Sequence, residues 1–116
     1  MRMSELNAEL LTRHEEAGRI FYRPVQSLAD AHGVQFLCPK CFAANGGSVG
    51  THFCICWFVG KVPDSAAPGP GRWNPTGTGI EDLTFLPYEG QPLVSVLLTG
   101  GCGWHGNIVN GEARDC

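Results

Sequence analysis

Charge is scarce in this sequence. Asp, Glu, Lys and Arg together make 16% of the 116 residues, against about 25% in an ordinary globular chain, and the formal net charge is -3. Without clustered Lys and Arg there is no electrostatic reason to expect a phosphate-backbone partner, so nucleic acid is set aside. Long apolar runs are also missing. The longest, Phe53 to Val59 and Leu93 to Leu98, are strand-sized and far short of the roughly 20 residues that cross a bilayer. The first residues, Met1-Arg-Met-Ser-Glu-Leu-Asn-Ala-Glu, carry acids where a secretory leader would carry an apolar segment. A cytoplasmic chain with no membrane partner is expected, and the length suits one domain over 1-116.

Glycine, proline and cysteine are plentiful: Gly 16, Pro 8 and Cys 6. The first two imply much turn structure. With no leader expected, six cysteines point to metal binding or thiol chemistry rather than to a disulfide framework.

Leu6, Leu10, Leu11, His14 and Ala17 recur at helical spacing between Ser4, a candidate N-cap, and Gly18, a candidate stop, which predicts an N-terminal helix over 4-18. Ser27 to His32 predicts one more helical turn, capped by Gly33. A β-rich core is expected over 34-112, with strands at Val34–Leu37, Thr51–Val59, Leu83–Leu86, Leu93–Thr99 and Asn107–Val109. Both faces of Thr51–Val59 are largely apolar, which predicts a central strand. Between Val62 and Gly79, Pro63, Pro68, Pro70 and Pro75 alternate with glycines and predict a long loop.

Cys38-Pro-Lys-Cys41 and Cys102-Gly-Trp-His105 each end a predicted strand and resemble the tight turns called zinc knuckles. In such a turn two side chains project from one bend toward a common point. Two facing knuckles supply three thiolates and an imidazole, the closed tetrahedral shell of a structural zinc. The expected metal ligands are therefore Cys38, Cys41, Cys102 and His105, with iron a lesser fit to the same cage. The fold class follows: α+β, mostly β, a small antiparallel sheet with zinc-ribbon-like paired knuckles and an N-terminal helix. A redox role for Cys38 and Cys41 would need a helix N-terminus, and Phe42 to Gly47 predicts only a fragment of helix. Cys54 and Cys56, with His52 on the same strand face, read either as small hydrophobes of a crowded strand or as ligands, to a second ion or in place of one of the four.

Arg72 and Trp73 stand in the Pro/Gly loop. They are candidates for contact with a partner or ligand, or else Trp73 covers the core and Arg72 pairs with Glu81 or Asp82. No catalytic motif is present. A shell without a vacancy, beside a displayed loop, predicts a non-catalytic domain that binds a protein; a homo-oligomer is compatible with this. The alternative is a metal-dependent hydrolase or oxygenase with a site near His52, Arg72 and Asp82.

Phe36-Leu-Cys-Pro-Lys-Cys41, His52 followed by Trp57-Phe58, Pro70-Gly-Arg-Trp73, Asp82-Leu-Thr-Phe-Leu-Pro87, Ser95-Val, and the run from Gly101 to Glu112 together resemble a family of small bacteriophage and prophage proteins. Its members sometimes carry the label "ammonia monooxygenase". The match covers Val34 to Glu112. It implies metal-binding side chains at Cys38, Cys41, Cys102 and His105 and a phage or prophage origin, which places the expected accessory protein in the host cytoplasm, and it implies no known activity. It assigns no role to Cys54 or Cys56. The chain has neither the membrane spans nor the histidine-rich copper cluster of an ammonia-oxidising enzyme.

Overall fold

The structure is a computed structural model that describes residues 1–88, 90, 94–98 and 102–116. It is mostly β, in small antiparallel sheets with one α-helix. Strands β1 (Glu9–Glu16), β2 (Arg19–Val25), β3 (Gly33–Leu37) and β4 (Phe53–Trp57) form a sheet in the order β2-β1-β3-β4, and helix α1 (Pro39–Asn45) follows β3 directly. β5 (Asn74–Thr76) pairs with β6 (Thr84–Leu86), and β7 (Val96–Leu97), β8 (His105–Val109) and β9 (Glu112–Asp115) form a third sheet.

The predicted helix over 4-18 is instead a 3₁₀ turn at Met3–Leu6 followed by β1. Ala17 and Gly18, with φ of 50° and 78°, form the two-residue turn between β1 and β2. Positive φ at both positions matches the right-handed twist of paired strands, so Gly18 reverses a hairpin rather than stopping a helix. Long-range pairing completes the reversal of the local signal: Leu10 lies opposite both Val25 and Val34 and is buried. The turn expected over Ser27 to His32 is a 3₁₀ turn at Leu28–Asp30, where the Ser27 hydroxyl accepts from the Ala29 amide. Gly33 does not cap it but begins β3 against the Trp57 ring, where a Cβ would lie 2.5 Å away.

The strand expected over Thr51–Val59 is narrower and stands at the sheet edge, not its centre. Its alternation is as expected: Cys54, Cys56 and Phe58 are buried, while Phe53 is half-exposed. Trp57 is buried on the other face, where Tyr22 lies against it and the Ala67 carbonyl accepts from its indole. Of the strand expected at Leu93–Thr99, Val96–Leu97 is present, and Leu93 and Thr99 lie outside the described residues. Asn110 and Gly111, both at positive φ, turn β8 into β9, a strand the apolar pattern did not reveal because Glu112–Asp115 is polar.

The core joins the sheets. Phe36 on β3 meets Trp104 edge-on at 6.2 Å, and Phe58 meets Phe85 of β6 at 6.3 Å. Met1 and Ala113 exchange backbone hydrogen bonds, which ties the N-terminal segment to β9. Gly106 lies where a Cβ would run into the Trp104 ring and the Arg114 carbonyl. Gly106→Ala is therefore expected to cost about 1–3 kcal/mol through overpacking; an unchanged urea midpoint would contradict this. No helix among the described residues is long and apolar enough to cross a membrane.

Candidate metal centre

Three chain segments converge on one point. Cys38 follows β3 and stands immediately before α1, with Pro39 as the first helical residue, a position where its missing N–H costs nothing. Cys41 follows one turn later. The Cys38 amide donates to the His52 carbonyl at 2.9 Å, which sets His52, the residue before β4, directly across from Cys38. Cys102 approaches from the segment before β8, and the Lys40 ammonium donates to its carbonyl at 2.8 Å.

Cys38 Sγ lies 3.2 Å from Cys102 Sγ, Cys102 Sγ lies 3.5 Å from His52 Nε2, and one ligand atom from each of Cys38, Cys41, His52 and Cys102 falls within 4.8 Å of all the others. A tetrahedral ion with bonds of about 2.3 Å to sulfur and about 2.0 Å to nitrogen separates its ligand atoms by roughly 3.5–3.8 Å. The cluster has that size and that donor chemistry, so these four residues could hold a metal ion.

His52 Nδ1 lies 3.3 Å from the Phe53 carbonyl and Nε2 lies 3.5 Å from Cys102 Sγ, so a metal bound at Nε2 would leave Nδ1 protonated to donate to that carbonyl. The thiols are uneven. Burial first, and the proton shared with Cys102, push Cys38 up to about 11. Burial would raise Cys102 too, but hydrogen bonds to its sulfur from Cys38, His52 and the Trp104 amide outweigh this and bring it down to about 6. A cation bound among these sulfurs would displace their protons.

The imidazole in this cluster is that of His52, and His105, expected from the Cys-x-x-His spacing, stands outside it. His105 is exposed as the first residue of β8, whose alternation turns Gly106 and Ile108 inward. It lines a separate cleft of about 550 Å³ with Lys40, Trp104 and Arg114. The Trp104 indole, between the two motif residues, is buried and donates to Asp115 at 2.8 Å. The first knuckle also differs from expectation: α1 makes Cys38-Pro-Lys-Cys41 the opening of a true helix. The signal for His52 lies in pairing rather than spacing. β3 and β4 pair antiparallel with Leu37 opposite Phe53, so one residue further on His52 must face Cys38.

Arg72 does not pair with Glu81 or Asp82. Its guanidinium donates to the carbonyls of Pro63, Asp64, Ala66, Pro68 and Gly71, and so serves as the internal tie of the Pro/Gly loop. Arg72→Ala is expected to cost on the order of 2 kcal/mol and to open the loop, since bonds to a charged donor are the stronger ones; limited proteolysis between residues 62 and 71 reads this directly. Trp73 stacks on Phe85 at 5.9 Å and donates to the Ser95 carbonyl. Its remaining surface lines a cavity of about 450 Å³ with His52, Phe53, Ile55, Pro70 and Leu97. The Asp82 carboxylate accepts from the Thr78 and Gly79 amides, which hold it below the usual carboxylate range. Glu81 faces Arg2 at 3.7 Å. No hydrogen bond or ion pair among the described residues links His52, Arg72 and Asp82.

Comparison of the chain with protein-family models, with curated proteins and with solved structures finds no match.

Proposed function

We propose that the chain is a zinc-stabilised accessory domain of phage or prophage origin that acts by binding a protein. The observation that carries the metal half of this reading is the convergence of three sulfurs and one imidazole within 4.8 Å. Three thiolates and a neutral imidazole suit zinc in ligand type and number, and they leave no open position for water or substrate. Such an ion holds segments together and does no chemistry. The phage origin rests on the resemblance carried between Val34 and Glu112. The binding role is supported by the cavity beside the metal centre, with half-exposed Phe53 and Leu97 at 51% and 55% on its walls.

Purified protein should contain one zinc per chain. The cobalt(II) form should show a tetrahedral, thiolate-rich absorption spectrum that added azide or cyanide leaves unchanged. A spectrum that shifts with the anion would mean a vacant position and a catalytic site. For the binding half, Phe53→Ala should melt like the parent and lose retention of a phage or host protein partner. Equal retention by the variant counts against this surface.

A further inference from the structure

One more sulfur borders the cluster. Strand β4 alternates, so Cys54 shares its inner face with His52, one step further along. In the β3–β4 register Cys54 stands opposite Phe36, as His52 stands opposite Cys38. Cys38 is therefore flanked on one sheet face by His52 directly across and by Cys54 on the diagonal. Diagonal neighbours in an antiparallel pair lie about 7–8 Å apart between Cα atoms and less between side chains, within reach of a common ion.

The two flanking side chains differ in ways that matter to a metal. Cys54 is 5% exposed and belongs to the same buried cluster as Cys38. His52 is exposed, and its ring is steadied by one 3.3 Å bond to Phe53. An exposed nitrogen and a buried sulfur thus border the same corner of the site.

We propose that a soft d10 cation, of the class of cadmium(II), mercury(II) or copper(I), is held by Cys38, Cys41, Cys54 and Cys102, with His52 leaving the shell. Zinc, of borderline softness, takes His52; a softer ion gains more from a fourth thiolate than from an imidazole. Cys54 gives its proton to solvent when the ion binds, and no electrons move. This inference rests on the four-ligand reading of the same site and adds a second coordination mode.

Cadmium is the probe. The full-length chain, His52→Ala and Cys54→Ala would each be loaded with one equivalent and read by thiolate-to-cadmium charge-transfer absorption and by cadmium-113 resonance position. The parent and His52→Ala are expected to give the same four-thiolate spectrum. Cys54→Ala should lose about a quarter of the absorption, one Cd–S bond in four, and its resonance should move upfield. With zinc the order reverses: Cys54→Ala binds like the parent, and His52→Ala loses more than the 10–100-fold in affinity that a merely supporting residue costs. A three-thiolate cadmium spectrum in the parent, unchanged by Cys54→Ala, overturns the proposal. Should Cys54→Ala not fold, His52→Ala decides alone, four thiolates supporting the second mode and three excluding it. Failure of the zinc reading looks different: the parent then takes up no zinc, whatever the cadmium spectrum.

Discussion

Cys38→Ser is expected to abolish stoichiometric metal binding and, with it, the cooperative melting transition of the chain. Cys38 is fully buried, its sulfur contacts Cys102, and its amide is bonded to the His52 carbonyl. The ion it would help to hold closes a loop between Cys38 and Cys102, a separation of 64 positions, and pins the start of β4 as well. Apparent binding free energies of structural zinc reach about 10–16 kcal/mol in small zinc domains. A whole domain is stable by only about 5–15 kcal/mol. Losing even half of the first therefore competes with all of the second. Thermal unfolding followed by circular dichroism, with metal content measured on the same sample, tests this, and a strong chelator added to the parent should reproduce the result. A metal-free Cys38→Ser chain that melts at the parental temperature would refute the structural role.

Phe36→Ala is the second large effect, at about 3–5 kcal/mol for a fully buried aromatic. Phe36 sits on an inner strand two residues before Cys38, and its ring meets Trp104, which stands just before β8. Truncation empties the contact through which the metal-bearing sheet touches the β7-β8-β9 sheet. For a chain of this size the melting temperature should fall by roughly 10 °C or more, with the urea midpoint falling in parallel. A shift of only a degree or two would mean that the two sheets are joined mainly elsewhere, for instance through Phe58 and Phe85.

Much of the metal centre is legible in the sequence. Cys38, Cys41 and Cys102 announce themselves because thiols at such spacings at strand ends have few other uses in a chain without a disulfide framework. The same spacing points to His105, which the fold leaves outside the cluster for a definite reason. Spacing says which residues share a bend; it does not say where the next strand begins. Once β8 starts at His105, alternation sends that ring outward, and Trp104 takes the inward position. His52 is legible only as an alternative ligand, and the pairing of β3 with the segment around β4 brings it to the sulfurs.

The N-terminal segment is ambiguous in the other direction. Leu6, Leu10 and Leu11 fit a helical stripe, but Leu10 and Leu11 also pair across to Val34 and Gly33 on β3, residues more than twenty positions away. A local pattern with two solutions is settled by the partner that offers burial, and here that partner is a strand.

By itself, the sequence determined the β-rich class, the alternation of β3 and β4, the loop between Val62 and Gly79 apart from strand β5 at Asn74–Thr76, and three candidate sulfur ligands. Each follows from side-chain chemistry or from periods of two that act over a few residues. Only the tertiary structure decided that residues 9 to 25 form a hairpin, that β4 is an edge, that Arg72 ties its own loop, and that the imidazole gathered with the three sulfurs is that of His52. Those outcomes depend on which distant strand lies alongside, because cross-strand register sets which side chains meet, and no local pattern carries the register.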